Sequence, residues 1–241
     1  MTVFRRWKFT ILLLILLVLN VLHPFISHDA ALFMLVYTLF IILFVISFLI
    51  LFRSRRSRMM AVALGLPTVA ATFTNYLLPS APPAVASLLF HLLPALFLLY
   101  TVVVILKTIF LDAVVSADSV NGAFCGYLLV GLAFAHLYCL VASFWPDSFF
   151  LNNQVGDLPP EGGRRHSLFV YFSFITQTTL GYGDIIPRSP PARTLAWVEA
   201  MFGQFYVAVI VAELIALKVS AALREQEQAA RSTGSKGREK E

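Results

Sequence analysis

Charge is what this chain has least of. Asp, Glu, Lys and Arg make up 13% of its 241 residues, against 59% apolar residues. Soluble domains run roughly 45–50% apolar and about 25% charged. The shortfall argues against a water-soluble enzyme, and the apolar content excludes a disordered chain. Cysteine is nearly absent too. Cys125 and Cys139 fall on one predicted helix, where fourteen residues at about 1.5 Å rise separate them by roughly 21 Å. A disulfide needs Cα atoms within about 7 Å, so the two do not pair. There is no CxxC motif and no His/Cys cluster with metal-ligand spacing, so no bound metal cofactor is expected. The net charge of +5 does not point to nucleic acid, because the basic residues sit in short clusters at the ends of apolar runs.

Those apolar runs dominate what is present. A membrane-crossing helix needs about 20 mostly apolar residues. Phe9–Ser27 and Ala30–Phe52 are free of charge, the first preceded by Arg5, Arg6 and Lys8, the second closed by Arg53, Arg55, Arg56 and Arg58. No small-residue cleavage site follows the first run, so it is read as a retained span rather than a signal peptide. The next 48 residues, Met59–Leu106, carry no formal charge, and Pro79, Pro82 and Pro83 break them into spans at about 59–78 and 84–106. Ser119–Trp145 makes a fifth span and Thr194–Leu217 a sixth. Basic residues favour the cytoplasmic side of short loops. They lie at the N-terminus, at 53–58, at Lys107 and from Lys218 onward, which places both termini in the cytoplasm.

Between spans five and six lies a segment that does not cross. Asp147–Arg165 is polar and reads as an outer loop; His166–Thr178 is apolar, aromatic and too short to span, which suits a re-entrant helix capped by Ser167. Directly after it stands Thr179-Leu180-Gly181-Tyr182-Gly183-Asp184. Extended backbone in lipid leaves carbonyls unsatisfied at several kcal/mol each, so it is tolerated only where buried in protein or lining a watery cavity. Glycines at 181 and 183 adopt backbone angles closed to other residues. Alternating them with ordinary residues turns successive carbonyls toward one axis, where their oxygens replace the water around a cation.

With its preceding Thr178, its short aromatic helix and its flanking spans in order, this segment resembles the selectivity filter of the pore-loop potassium channels. The resemblance covers about residues 120–222. It implies that Thr179 offers its hydroxyl and carbonyl to the innermost potassium sites, and that the carbonyls of Leu180, Gly181 and Tyr182 form the sites above. Gly183 would open to the outer mouth. Tyr182 would brace the filter against the pore helix, with the Leu180 side chain packed behind. Thr178, Asp184 and Tyr171 would support it, Tyr171 standing where relatives carry a Trp that reaches the acid. Phe172 replaces a second common Trp and has no polar atom. One chain supplies one filter strand, so the resemblance implies a homotetramer whose partners are further copies, membrane lipids and potassium ions. Potassium is the permeant ion, and no other cofactor is implied.

Span six carries further candidates. Gly203 lies nineteen residues past Asp184, where relatives often have a hinge glycine; gating hinge and close-packing residue both stand as readings. Glu199 is an intramembrane acid, expected to hydrogen-bond behind the filter near Thr176 or Gln177 rather than face ions. Glu213 rings the inner mouth, pairs with Lys218 or is simply solvated. His91 and His136 are intramembrane imidazoles, each a pH sensor or a packing residue. Pro187, Pro190 and Pro191 form the turn that restarts the chain as span six.

Six spans with one pore loop resemble voltage-gated channels, but span four lacks the repeated Arg or Lys that a sensor needs. Each elementary charge gains only about 2.3 kcal/mol per 100 mV. The first four spans are then a degenerate sensor, a collar against lipid, or a ligand site. The expected fold is an all-α membrane protein of six transmembrane helices with a re-entrant pore helix and filter between spans five and six. Its domains are a four-span region at 1–112, a pore domain at 113–222 and a cytoplasmic tail at 223–241. Ala221–Arg231 extends span six and Ser232–Glu241 is disordered, too short for a nucleotide- or calcium-binding domain. The expected activity is passive, potassium-selective conduction with little voltage sensing and no enzyme activity. A weakly selective cation channel and a pore subunit of a potassium uptake system are the alternatives. Compactness and the short tail are compatible with a bacterial inner membrane.

Overall fold

The computed structural model describes residues 2–22, 59–60, 62–68, 84–111, 117–152, 158–159 and 163–238. Five long helices and a small ribbon hold most of them: α1 (Thr2–Leu22), α2 (Ala84–Leu111), α3 (Ala117–Phe144), a 3-10 turn at Pro146–Ser148, β1 (Phe149–Leu151), α4 (Gly163–Gln177), β2 (Ile185–Pro187) and α5 (Pro190–Arg238). Stretches of α2 and α3, Ser87–Phe110 and Asp118–Phe144, are long and apolar enough to cross a membrane. The described chain is a mostly helical membrane protein. The second predicted span, most of the third, His23, His28 and the Arg53–Arg58 cluster lie outside the described residues.

The core sits where α2 and α3 face each other. Phe97, Leu98, Val102 and Ile105 are buried from one side, Leu129, Leu132 and Ala133 from the other. α2 runs beyond the predicted Leu106 because Thr108 returns its hydroxyl to the carbonyl of Val104 at 2.9 Å, so its polar atom travels within the helix. No disulfide joins Cys125 and Cys139; both are buried along α3.

α1 shows how the start of one helix fixes another. It is broken at Trp7, where φ is −124° and ψ 18°. The helix restarts there with its first amides open. Those of Phe9 and Thr10 donate to the Asp118 carboxylate at 3.4 and 3.0 Å, and the Thr10 hydroxyl donates to it at 3.0 Å. A carboxylate from α3 thus does the work of an N-cap for α1 and lies at the positive end of its dipole. Asn121 donates to the Thr10 hydroxyl at 2.9 Å. At Gly122 a Cβ would come within 3.0 Å of Phe9 and 3.1 Å of Ile109, so the start of α1, the end of α2 and the start of α3 meet at one end. Trp7 and Trp145, both half-exposed, stand beyond opposite ends of the bundle, in the belt positions of amphipathic rings.

α5 begins four residues earlier than predicted. Ser189 is its N-cap, accepting from the Ala192 amide at 3.3 Å, and Pro190 occupies the first helical position, where a missing N–H costs nothing. The helix runs to Arg238. The expected disordered tail from Ser232 is therefore helical as far as it is described, continued from the strong helix formers Ala221–Arg231.

Removing the carboxylate in Asp118→Ala is expected to lower stability by about 0.5–2 kcal/mol, with Asp118→Asn retaining most of it. Thermal unfolding of the purified protein in detergent measures both.

Candidate functional site

α4 is fifteen residues long, about 22 Å, too short to cross the hydrocarbon. It begins at Gly163, so Ser167 lies inside the helix and does not cap it, contrary to expectation. Its inner face is buried at Phe169, Val170, Phe172, Ser173 and Gln177. Phe172 packs its ring 4.8 Å from Tyr138, and Phe149 packs 4.7 Å from Phe169. Lacking a polar atom, Phe172 contributes area to this aromatic cluster rather than a hydrogen bond.

The end of α4 turns the chain into the Thr179–Gly183 segment. The Leu180 amide donates to the Ile175 carbonyl at 2.8 Å and the Thr179 amide to the Thr176 carbonyl at 2.9 Å. These paired bonds form a Schellman cap, with Thr179 at the left-handed position, φ 58°. Glycine is the usual occupant there. A β-branched residue is strained by about 1–3 kcal/mol. The position holds a hydroxyl in exchange: Thr179 Oγ1 donates to the Thr178 carbonyl at 2.7 Å and accepts from Gln204 Nε2 of α5 at 3.3 Å.

From Thr178 to Gly183 every residue is exposed, between buried Gln177 and buried Ile185. Positive φ recurs at alternate positions: Thr179 at 58°, Gly181 at 55° and Gly183 at 77°. Alternating handedness lets successive peptide groups present like atoms to one side. A Cβ at Gly181 or Gly183 would meet nothing within 4 Å. Both glycines are therefore required by the sign of φ and not by crowding within the subunit.

Beyond Gly183 the chain is tied down again. Tyr171 donates its hydroxyl to Asp184 Oδ2 at 2.6 Å, the Ile185 amide donates to Oδ1 at 3.0 Å, and the Asp184 carbonyl accepts from the Asn152 amide at 2.9 Å. On the non-spanning α4, burial and then the Asp184 bond push the Tyr171 hydroxyl up to about 12, so it remains a donor at physiological pH. β1 and β2 pair antiparallel, Phe149 with Pro187 and Leu151 with Ile185. The predicted outer loop thus contains a strand, and Pro187 belongs to β2 while Pro190 and Pro191 start α5. The apolar triplets 149–151 and 185–187 were the available signal.

Behind the segment, α5 buries a narrow seam of Glu199, Gly203, Tyr206 and Ile210. Glu199 is in hydrogen-bond contact with Tyr138 of α3 and Ser173 of α4, not with Thr176 or Gln177 as expected. The acid sits against the middle of α4, about one turn before its end. Ser173 Oγ also lies 2.7 Å from the Gly131 carbonyl. Gly203 faces the Gln177 carbonyl so closely that a Cβ would collide with it. α5 continues through this position, and the missing side chain lets it lie directly against the end of α4. Gln177 Nε2 donates to the Tyr127 carbonyl at 3.0 Å, and Tyr206 donates to the Ala123 carbonyl at 2.8 Å. Glu213 is exposed on α5.

Two filter side chains lie open in the single subunit. Tyr182 is 67% exposed and Leu180 56% exposed, so their own α4 neither braces the first nor covers the second. Sequence reasoning also missed Tyr138, Ser173 and Gln204, whose polar atoms meet the site only through folding. Nor did it link the histidines. His91 and His136 bring their Nδ1 atoms to 3.4 Å, and His136 stacks 4.4 Å from His166, joining α2, α3 and α4.

Gly203→Ala is expected to cost about 1–3 kcal/mol through the clash with Gln177, read as a lowered unfolding temperature. Tyr171→Phe removes the Asp184 bond alone, and hydrogen exchange at the 184–187 amides is expected to quicken without loss of the fold.

Residues 123–218 match the family described as Ion channel. The voltage-gated potassium channel regulatory subunit KCNG1 of Homo sapiens is 31% identical over 84 residues, which is 35% of this chain and 16% of the relative. Its counterparts from Mus musculus and Rattus norvegicus match to the same extent. The chain thus spans 16% of the length of these curated relatives. No solved structure matches it.

Proposed function

We propose that this chain, whose residues 123–218 match the Ion channel family, is a member of the pore-loop potassium channel superfamily and conducts potassium passively across a membrane as a tetramer of identical chains. The observation that carries this reading is the alternating positive φ at Thr179, Gly181 and Gly183 along six consecutive exposed residues. A backbone of alternating hand, open on one side and anchored at both ends, suits a strand whose carbonyls are completed by copies around an axis. In that arrangement Thr179, Leu180, Gly181 and Tyr182 offer oxygens to dehydrated potassium, and Gly183 opens outward. Neighbouring copies cover Leu180 and Tyr182.

The Tyr171–Asp184 bond holds the outer end, and the Thr179–Gln204 contact ties the inner end to α5. Glu213 stands on the exposed face of α5, where an acid raises the local cation concentration. Predicted span four has no Arg or Lys before Lys107, so opening is weakly dependent on voltage. Both termini lie in the cytoplasm.

The printed name of the relatives, a regulatory subunit, favours a second reading. There the same filter strand is one of four in a pore completed by different subunits. Purified protein in liposomes separates the two. Potassium and rubidium flux from this chain alone, with sodium excluded, is the expected result. No flux from well-folded protein supports the mixed assembly, and equal passage of sodium and potassium removes the selectivity claim. Gly181→Ala is expected to abolish flux while leaving the fold and assembly size intact. An added Cβ meets no atom of the subunit, yet it is strained at a φ of 55°. Unchanged flux would remove the filter assignment.

A further inference from the structure

Two hydroxyls contact Glu199, and one of them has a second partner, which makes a chain of three oxygen contacts. Tyr138 Oη touches one carboxyl oxygen, Ser173 Oγ touches the other, and Ser173 Oγ also touches the Gly131 carbonyl. Each close oxygen pair needs one proton between its members. Tyr138 and Ser173 supply one each, and the Gly131 carbonyl supplies none. Two protons do not fill three contacts. The third must come from the carboxyl itself, which then donates to Ser173 while Ser173 donates to Gly131.

We infer that Glu199 is held as a neutral carboxylic acid, and that its proton is the link joining α5 to α4 and α3 behind the exposed segment. The surroundings agree with the count. Glu199 is fully buried, and among the described residues no cationic group pairs with it. Burial strongly disfavours an unpaired carboxylate there. The titratable groups facing it are Tyr138 and Tyr127 of α3; α4 presents Ser173, which does not titrate. Loss of the proton forces Ser173 to choose between Glu199 and Gly131. One contact then becomes two bare oxygens, and α4 loses a fixed partner. Glu199 is in this sense a positioning residue, sensitive to alkali.

The functional part of this inference rests on the channel reading, so the test has two arms. The first is infrared difference spectroscopy of the purified full chain at neutral pH. A protonated-carboxyl band is expected in the parent and absent from Glu199→Gln, and Ser173→Ala should shift that band without removing it. No band difference between parent and Glu199→Gln overturns the inference, whether or not the protein conducts. The second arm is potassium flux in liposomes from pH 7 to about 10. The parent is expected to lose flux about tenfold with rising pH, Glu199→Gln to stay within about threefold of its neutral value, and Glu199→Ala to be low throughout. An equal alkaline loss in the parent and in Glu199→Gln overturns the positioning role. Absence of flux in every protein counts against the channel reading, while the infrared arm still decides the protonation state.

Discussion

Six exposed residues that belong to neither helix nor sheet have to be held from their two ends, and the rest of the site follows from that constraint. At one end the Schellman cap of α4 spends the Leu180 and Thr179 amides on the carbonyls of Ile175 and Thr176. At the other, Asp184 takes a side-chain bond from Tyr171 and a backbone bond from Asn152. Both anchors start from α4 or from the strand that follows α3. α4 is itself fixed by the aromatic cluster around Tyr138 and by Glu199. The strain at Thr179 is tolerable because the segment is held at both ends.

The segment was legible in the sequence because its information is local. Alternating glycines, an aromatic helix too short to span and a following apolar run can be read without knowing what packs on what. The reach from Tyr171 to Asp184 was expected from the resemblance alone, in which relatives carry a Trp donor at that place on the pore helix. The partners of Glu199 were not. Ser173 and Tyr138 lie 26 and 61 residues away, and only the crossing of three helices brings their hydroxyls to one carboxyl. The β1–β2 ribbon escaped because three-residue strands carry too little alternation to stand out from a polar loop. The histidine trio escaped because each imidazole sits on a different helix and looks isolated along its own.

α5 illustrates how little of a helix need be buried to fix it. Its seam of Glu199, Gly203, Tyr206 and Ile210 repeats at intervals of three and four, while Trp197, Phe202, Phe205 and Val209 remain exposed around it. A helix apolar on nearly every side needs more than one kind of neighbour. The seam holds the approach to the Gln177 carbonyl, which explains the glycine at 203.

The bond between Asp118 and the restarted turn of α1 crosses the boundary expected from the sequence at residue 113, since α1 lies before it and Asp118 opens the helix that leads to α4. The two regions are therefore not separable modules. A chimera that kept residues from 113 onward and replaced everything before them would bring in a foreign first helix with its own opening amides to satisfy. The acid at 118 would then face whatever that helix presented. Grafts between relatives should carry the first helix together with the segment it caps against.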